Sequence, residues 1–328
     1  MQRLRILTWH VHGSYLYALA HTGHDFLLPV KPGRPEGYLG RAGTFPWPAT
    51  VREVAAEDVR RERFDLVLFQ SRRNYLVDQF EILSPSQRRL PRVYVEHDPP
   101  REHPTDARHP VDDPDVLLVH VTAFNDLMWD SGRTPTRVIE HGVPPSPGVR
   151  YLGYVPRGVV VMNEIARRGR RAGLDLFLAA SRTVPLDLFG MGSEAVGGHG
   201  PVPHDQVAPR IAERRFFFHP ARYTSLGLAV CEAMMIGAPV VALATTEIAT
   251  VVRDGVSGFV HTDPGVLVAR MRELLADHGL ARRLGEAARR HALERFDLGR
   301  FCRRWNRAFA DAAGGLAPGA SLTAGRVR

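Results

Sequence analysis

Glu232 is singled out by what precedes it. The run Phe216-Phe-Phe-His-Pro220 is apolar and stops at a proline, Arg222 to Ser225 is polar, and Leu226, Val230, Ala233 and Met234 then recur at helical spacing. Strand, loop, helix and a second strand up to Val241 follow one another as in a parallel αβ sheet. Thr224 or Ser225 can accept a hydrogen bond from the first unpaired helical amides, and Gly227, without a Cβ, lets a ligand come close to the backbone. Those amides and the positive end of the helix dipole point the same way, which makes an anion site. Glu232 lies roughly 8–9 Å further along the axis, its side chain leaning back toward the helix start. One ligand can therefore place a phosphate at the amides and a hydroxyl-rich group at the carboxylate.

Other groups able to do chemistry stand at the ends of apolar runs. After residues 5–9 come His10, His12, Gly13 and Ser14, where the glycine serves either a ligand-facing turn or a plain one. After residues 92–95 come Glu96, His97 and Asp98, three ionisable side chains at a carboxyl end of the expected sheet. Gly190, Met191 and Gly192 close another run, and Arg167, Arg168, Arg170 and Arg171 crowd a turn. Asp112, Asp113 and Asp115 precede a strand instead of ending one, which suits a loop cap better than a metal. His97, Asp98, His103, Asp106 and His109 fit no zinc spacing, and prolines interrupt them. No metal site and no covalent nucleophile is expected.

The frame that holds these groups alternates short apolar runs with helical stripes. Runs at 5–9, 24–30, 64–70, 92–95, 116–121 and 136–140 read as strands, with helices around 51–59, 76–83 and 124–129 and a surface loop over 29–48. Pro144-Pro145-Ser146-Pro147-Gly148 can be neither helix nor central strand and marks a linker. Beyond it strands at 158–162, 186–189 and 216–219 restart the pattern. The expected organisation is a first domain over 1–147, a second over 148–297, a last helix over 298–313 packing back across the domains, and a disordered tail over 314–328.

The chain has 328 residues, enough for two domains of about 150. Two cysteines, Cys231 and Cys302, make no disulfide framework, and with no targeting segment or membrane span in view the expected compartment is cytoplasmic. With 43 Lys and Arg against 35 Asp and Glu the net charge is +8, which favours anionic partners. No nucleic-acid motif accompanies it. Contact with the inner face of an anionic membrane stays open.

Two βα domains joined by a proline-rich hinge resemble the GT-B glycosyltransferases, most strongly over 151–305. The run from His219 to Ala242 looks like the Glu-x7-Glu signature of retaining, family-4-type enzymes, supported by Gly190-Met-Gly192, Pro203-His-Asp-Gln-Val207 and Val251-Val-Arg-Asp-Gly-Val-Ser-Gly-Phe259. The resemblance implies an α/β protein with two Rossmann-like domains facing across a cleft. It implies a hexosyltransferase-like activity that moves a sugar from a nucleoside-diphosphate sugar to a hydroxyl acceptor, with retention and without a metal or other cofactor. Glu232 would hold the donor ribose. The amides around Ser225, Leu226, Gly227 and Leu228 would face diphosphate and sugar, with Arg167, Arg168 and Arg171 on the diphosphate and Gly190 in the supporting loop. His97 would face the transferred sugar and assist turnover, and Gly13 with Ser14 would lie on the acceptor or phosphate side. The first acid of the signature is here Thr224, and the usual Gly-Gly-x-Pro-Glu loop is replaced by residues 246–250, where Glu247 could take over a sugar hydroxyl. The missing acid also suits a degenerate GT-B protein that binds a nucleotide sugar or a partner subunit without catalysis, and a GT-B-like sugar-nucleotide epimerase shares the fold.

Overall fold

The computed structural model describes residues 2–315, so 316–328 of the expected tail lie outside them. Two compact units divide the chain. The first takes the residues to Gly142 and those from Gly299 on, the second Val143–Leu298.

The first unit runs β1 (Arg5–Thr8), α1 (Gly13–Ala20), β2 (Asp25–Val30), β3 (Val51–Ala55), β4 (Leu66–Phe69), α2 (Gln79–Ile82), β5 (Arg92–Glu96), β6 (Val116–His120), α3 (Ala123–Met128) and β7 (Thr136–Val138). Its seven strands are ordered β3-β2-β1-β4-β5-β6-β7 and all pairs are parallel. The order reverses between β1 and β4, so the loops leaving these strands open the crevice where ligands of such sheets bind. The helix expected over 51–59 is instead the edge strand β3, paired from Phe26↔Val51 to Val30↔Ala55. Its β-branched valines suit a pleated half-buried surface, while Arg52 and Glu53 turn out to Glu62 and Arg34 and blunt the edge. The loop over 29–48 is not merely superficial, since Tyr38 is buried and Gly37 bridges to His10.

The second unit runs β8 (Val155–Val161), α4 (Ile165–Ala172), α5 (Leu174–Ser181), β9 (Leu186–Phe189), α6 (His204–Glu213), β10 (Arg214–His219), α7 (Leu228–Ile236), β11 (Val240–Leu243), α8 (Ile248–Val251), β12 (Gly258–His261), α9 (Pro264–Ala276) and α10 (His278–Arg295). Its parallel sheet is ordered β12-β11-β10-β8-β9. Alternation along β10 divides the aromatics: Phe217 packs with Val230, Met234 and Ala288 on one face, Phe216 and Phe218 with Phe177, Leu267 and Met271 on the other. The arginine-rich turn is the short helix α4, kinked where Gly169 leaves helical geometry (φ 55°, ψ −136°).

α11 (Leu298–Ala313) completes the first unit. Its indole Trp305 Nε1 donates to Tyr15 Oη at 3.1 Å, Asn306 Nδ2 to the Thr22 carbonyl at 3.2 Å, and Arg137 pairs with Asp311 at 2.8 Å. A Cβ on Gly142 would meet the Phe301 side chain at 2.4 Å, so this glycine lets the helix close on the end of the sheet.

Candidate active site

In the second unit the strand order reverses between β8 and β10, and the loops leaving those strands carry the groups picked out from the sequence. α7 starts at Leu228 with Gly227 as N-cap at φ 90° and no side-chain cap. Thr224 and Ser225 therefore do not cap it: both are buried in the loop, and the helix begins three residues after Ser225, beyond an N-cap side chain's reach to the second or third helical amide. The Val230 amide turns back onto the Gly227 carbonyl at 3.0 Å, and no side chain caps the first turn. Leu226, 2 % exposed, pins the loop into the core.

Beneath this turn lies His219, which the sequence reading quoted without assigning it a role. A Cβ on Gly227 would meet its Cε1 at 3.1 Å, so the glycine's left-handed φ and missing side chain both bring the turn onto the imidazole. Burial, reinforced by the nearby Arg168 guanidinium, lowers its pKa to about 4. The ring is neutral near pH 7 and its buried Nε2 has no partner.

The four arginines divide between two directions. Arg167 turns out to Glu164 at 3.3 Å and Arg170 out to Asp175 at 2.7 Å, both largely exposed. Arg168 is half-buried, reaches Met162 Sδ at 3.2 Å and acts on His219, so it is the arginine that the helix turns toward the switch point. Arg171 is half-buried and its carbonyl accepts the amides of Arg222 and Tyr223 at 3.0 and 3.3 Å. Arg222 in turn grips Asp175 with both nitrogens at 2.6 and 2.8 Å, tying the loop after β10 to α4 and α5. Gly190 is in the supporting loop, where a Cβ would strike the Met162 carbonyl at 2.3 Å, and Met191 N donates to Asn163 Oδ1 at 2.9 Å. Glu164 and Thr246, two of the three non-glycine residues with positive φ among the described residues, stand at the carboxyl ends of β8 and β11 and hold the backbone in strained form there.

Glu232 lines a cavity of about 160 Å³ with His204, Val207, Met235 and Arg289 and with the proline-rich segment from Val143 to Arg150. Its carboxyl is enveloped by protein, and burial alone raises its pKa to about 7. The cavity is concave, mostly apolar and holds one titrating acid, which suits a heterocycle or sugar with a diol. Glu247 is 5 % exposed; its Oε1 accepts from Thr250 Oγ1 at 2.7 Å and Arg295 Nη2 at 3.0 Å, so this carboxylate ties the loop before α8 to the end of α10.

In the first unit the loop after β5 brings His97 against His12, with ring centroids 4.2 Å apart, and against the edge of Tyr15 at 4.7 Å. His141, after β7, also lies edge-on to Tyr15, with centroids 5.7 Å apart. Burial first, then the neighbouring imidazoles, pushes His97 well below its ordinary range, and burial lowers His141 to about 4. His12 is lowered too, mainly by burial although part of the ring is open to solvent, with Asp98 opposing. His97 Nε2 and His141 Nδ1 are buried without partners, two neutral nitrogens that can exchange hydrogen bonds with a hydroxyl. Tyr15 and His141 were not selected from the sequence, and His12 was named there without a role, although His12 and His141 follow strand ends as His97 does. Gly13 opens α1 with Ser14 beside it, and the space a side chain would take is filled by Phe45, 2.8 Å from an ideal Cβ. Among the described residues no group of three or more His, Cys, Asp or Glu could hold a metal ion.

Residues 192–291 match the family of glycosyl transferases group 1. Over 75 residues, 22% of the chain, it is 44% identical to D-inositol 3-phosphate glycosyltransferase of Salinispora arenicola, covering 17% of that protein. Over 106 residues, 32% of the chain, it is 33% identical to the enzyme of that name from Streptomyces bingchenggensis, covering 23% of it. The chain thus spans about a fifth of the length of the curated relatives it matches. Among solved structures, sucrose-phosphate synthase from Thermosynechococcus elongatus superposes with a TM-score of 0.70 at 16% identity, over 94% of this chain and 99% of that one. HepE of Anabaena, in complex with UDP and glucose, gives 0.68 at 14% identity, over 94% and 100%. Residues 192–291 carry a domain of glycosyl transferases group 1, within a chain whose two parallel-sheet α/β units have the fold of GT-B glycosyltransferases.

Proposed function

We propose that the chain is a glycosyltransferase that moves a sugar from a nucleoside-diphosphate sugar to a hydroxyl acceptor, with retention at the anomeric carbon. The observation that carries the reading is the β8/β10 switch point, where an uncapped α7 start, Arg168 and the buried neutral His219 lie close together and Glu232, further along α7, opens onto the cavity. In this reading the cavity takes the nucleoside, with Glu232 on the ribose hydroxyls. The diphosphate lies at the amides around Ser225 to Leu228, with Arg168 as its principal cation and Arg171 beside it. HepE carries UDP and glucose in the same fold, which supports a donor of this class.

As the C1–O bond to the diphosphate breaks, negative charge grows on the leaving oxygen. The helix dipole and a fixed guanidinium offset that charge without reorganising, which lets the reaction run without a divalent ion. The acceptor oxygen bonds to C1 from the face the diphosphate leaves while its proton passes to the departing phosphate oxygen, and His97, neutral and with an unpartnered nitrogen, serves the transferred sugar. The acid missing at Thr224 is supplied by Glu247, held in place by Arg295 and Thr250.

The test is a thermal-shift screen of nucleoside diphosphates and nucleotide sugars, since the right donor stabilises the folded state by mass action. Release of nucleoside diphosphate is then measured with candidate acceptors, with and without a chelator, and the anomeric configuration of the product is read by NMR. Donor binding with no turnover on any acceptor would favour a nucleotide-sugar-binding protein. Donor consumption without acceptor, giving an isomerised sugar, would favour an epimerase.

A further inference from the structure

The helical turn that follows β4 turns an apolar face outward. Residues 72–82 are helical, with a π-helical turn over Asn74–Asp78 running straight into α2. Besides Ile82, which joins the core, the side chains it buries are polar: Asn74, Asp78 and Gln79 are 1, 0 and 5 % exposed, with Asn74 Nδ2 on Asp78 Oδ2 at 2.8 Å. The side chains it presents are apolar: Leu76, Val77 and Phe80 are 43, 45 and 57 % exposed. They stand at spacings of three and four, so they share one face. A soluble helix normally turns the other way. Burying three polar groups to expose three apolar ones is costly unless something covers the outer face.

Around that face basic residues predominate. Arg72 and Arg89 are exposed, Arg73 is 66 % exposed although Nε is bonded to Asp78, and the Arg88 guanidinium lies over the Phe80 ring at 5.1 Å. The acid of this turn that faces outward, Glu81, is paired with Lys31 at 2.8 Å. We propose that this turn is a docking surface for an anionic lipid bilayer, with Leu76, Val77 and Phe80 entering the interface and the surrounding arginines meeting the headgroups. A second copy of the chain is the poorer occupant, because a symmetric pairing of the face would bring arginine rims together.

Docking is independent of the transferase reading and is measured without donor or acceptor. The probes are vesicles of phosphatidylcholine alone and of phosphatidylcholine mixed with phosphatidylglycerol, in a sedimentation assay. The wild-type chain is expected to bind the anionic vesicles, less so as salt is raised, and to leave the neutral ones unbound. The triple variant Leu76→Ser, Val77→Ser, Phe80→Ser should bind about tenfold more weakly or worse, and Arg72→Ser with Arg89→Ser about fivefold more weakly per arginine. All of these side chains are exposed, so thermal unfolding and nucleoside diphosphate binding should be unchanged in both variants. Failure of the wild type to bind anionic vesicles overturns the proposal, as does a triple variant that binds like the wild type. A triple variant that only turns a dimer into a monomer would assign the face to a second copy instead.

Discussion

Glu232 offers the sharpest test of the site, because burial has already set its proton affinity. Its pKa is raised from 4.5 to about 7 by burial, so close to pH 7 the empty site holds a mixture of acid and carboxylate. A ribose diol donates hydrogen bonds, and the ionised form accepts both. If the nucleotide binds only the carboxylate, affinity falls about tenfold for each pH unit below about 7 and levels off above it, some 1.4 kcal/mol between about pH 6 and pH 8. The perturbation is Glu232→Gln, which keeps the shape and removes the titration. Isothermal titration of nucleoside diphosphate across that range measures both proteins. The ligand's own phosphate titrates in each, so the ratio of the two affinities isolates the side chain. That ratio should climb toward high pH for the wild type. Parallel curves would refute the assignment of Glu232 to the ribose. The ligand-free protein gives an independent check of sign. The folded pKa lies above the unfolded one, so the native state binds the extra proton between about pH 4.5 and 7 and stability falls as pH rises through that window. The shift corresponds to at most about 3 kcal/mol, and above about pH 8 the glutamine variant should be the more stable protein by up to that amount.

Three further outcomes follow from the same geometry. Arg168→Ala should weaken nucleoside diphosphate binding about ten- to hundredfold, the value of a charge-assisted hydrogen bond in a partly buried site, whereas Arg167→Ala, whose partner is the exposed Glu164, should change it by less than about threefold; titration calorimetry of the two variants makes the comparison. His97→Ala should lower turnover about ten- to hundredfold while nucleotide affinity stays near wild type, and equal loss of both in steady-state kinetics and calorimetry would make His97 structural. Glu247→Ala leaves the nearly buried Arg295 without that carboxylate and should lower unfolding free energy by about 3–5 kcal/mol in denaturant titration. Glu247→Gln keeps the side chain's shape and loses only its charge, so a fall in turnover with that variant at unchanged stability would locate its effect at the sugar.

What the sequence could show depended on whether a group's environment was local. β10, α7 and the turn between them were legible because strand, loop and helix lie within twenty-odd residues, and the apolar period changes along them. β3 was misread for the opposite reason: Val51, Val54 and Val59 fit a helical stripe, and only pairing with β2, set by the distant register Phe26↔Val51, makes them a strand. The cap was misplaced because Thr224 and Ser225 are the right residue types, but their side chains are drawn into the loop by the same packing that buries Leu226. Partition of the four arginines needed the kink at Gly169 and the acids Glu164 and Asp175, whose positions no spacing rule supplies. His219 was invisible as chemistry, since a histidine at the end of an apolar strand reads as core until Gly227 and Arg168 are seen to close around it. Glu247 combines both cases. A loop that had lost its glycines and gained an acid marked it as worth testing, and the fold shows that this acid holds the loop to α10 through Arg295. Any contact it makes with a sugar must therefore be made by a carboxylate whose position is fixed before the donor arrives, the condition for stabilising a transition state without reorganisation.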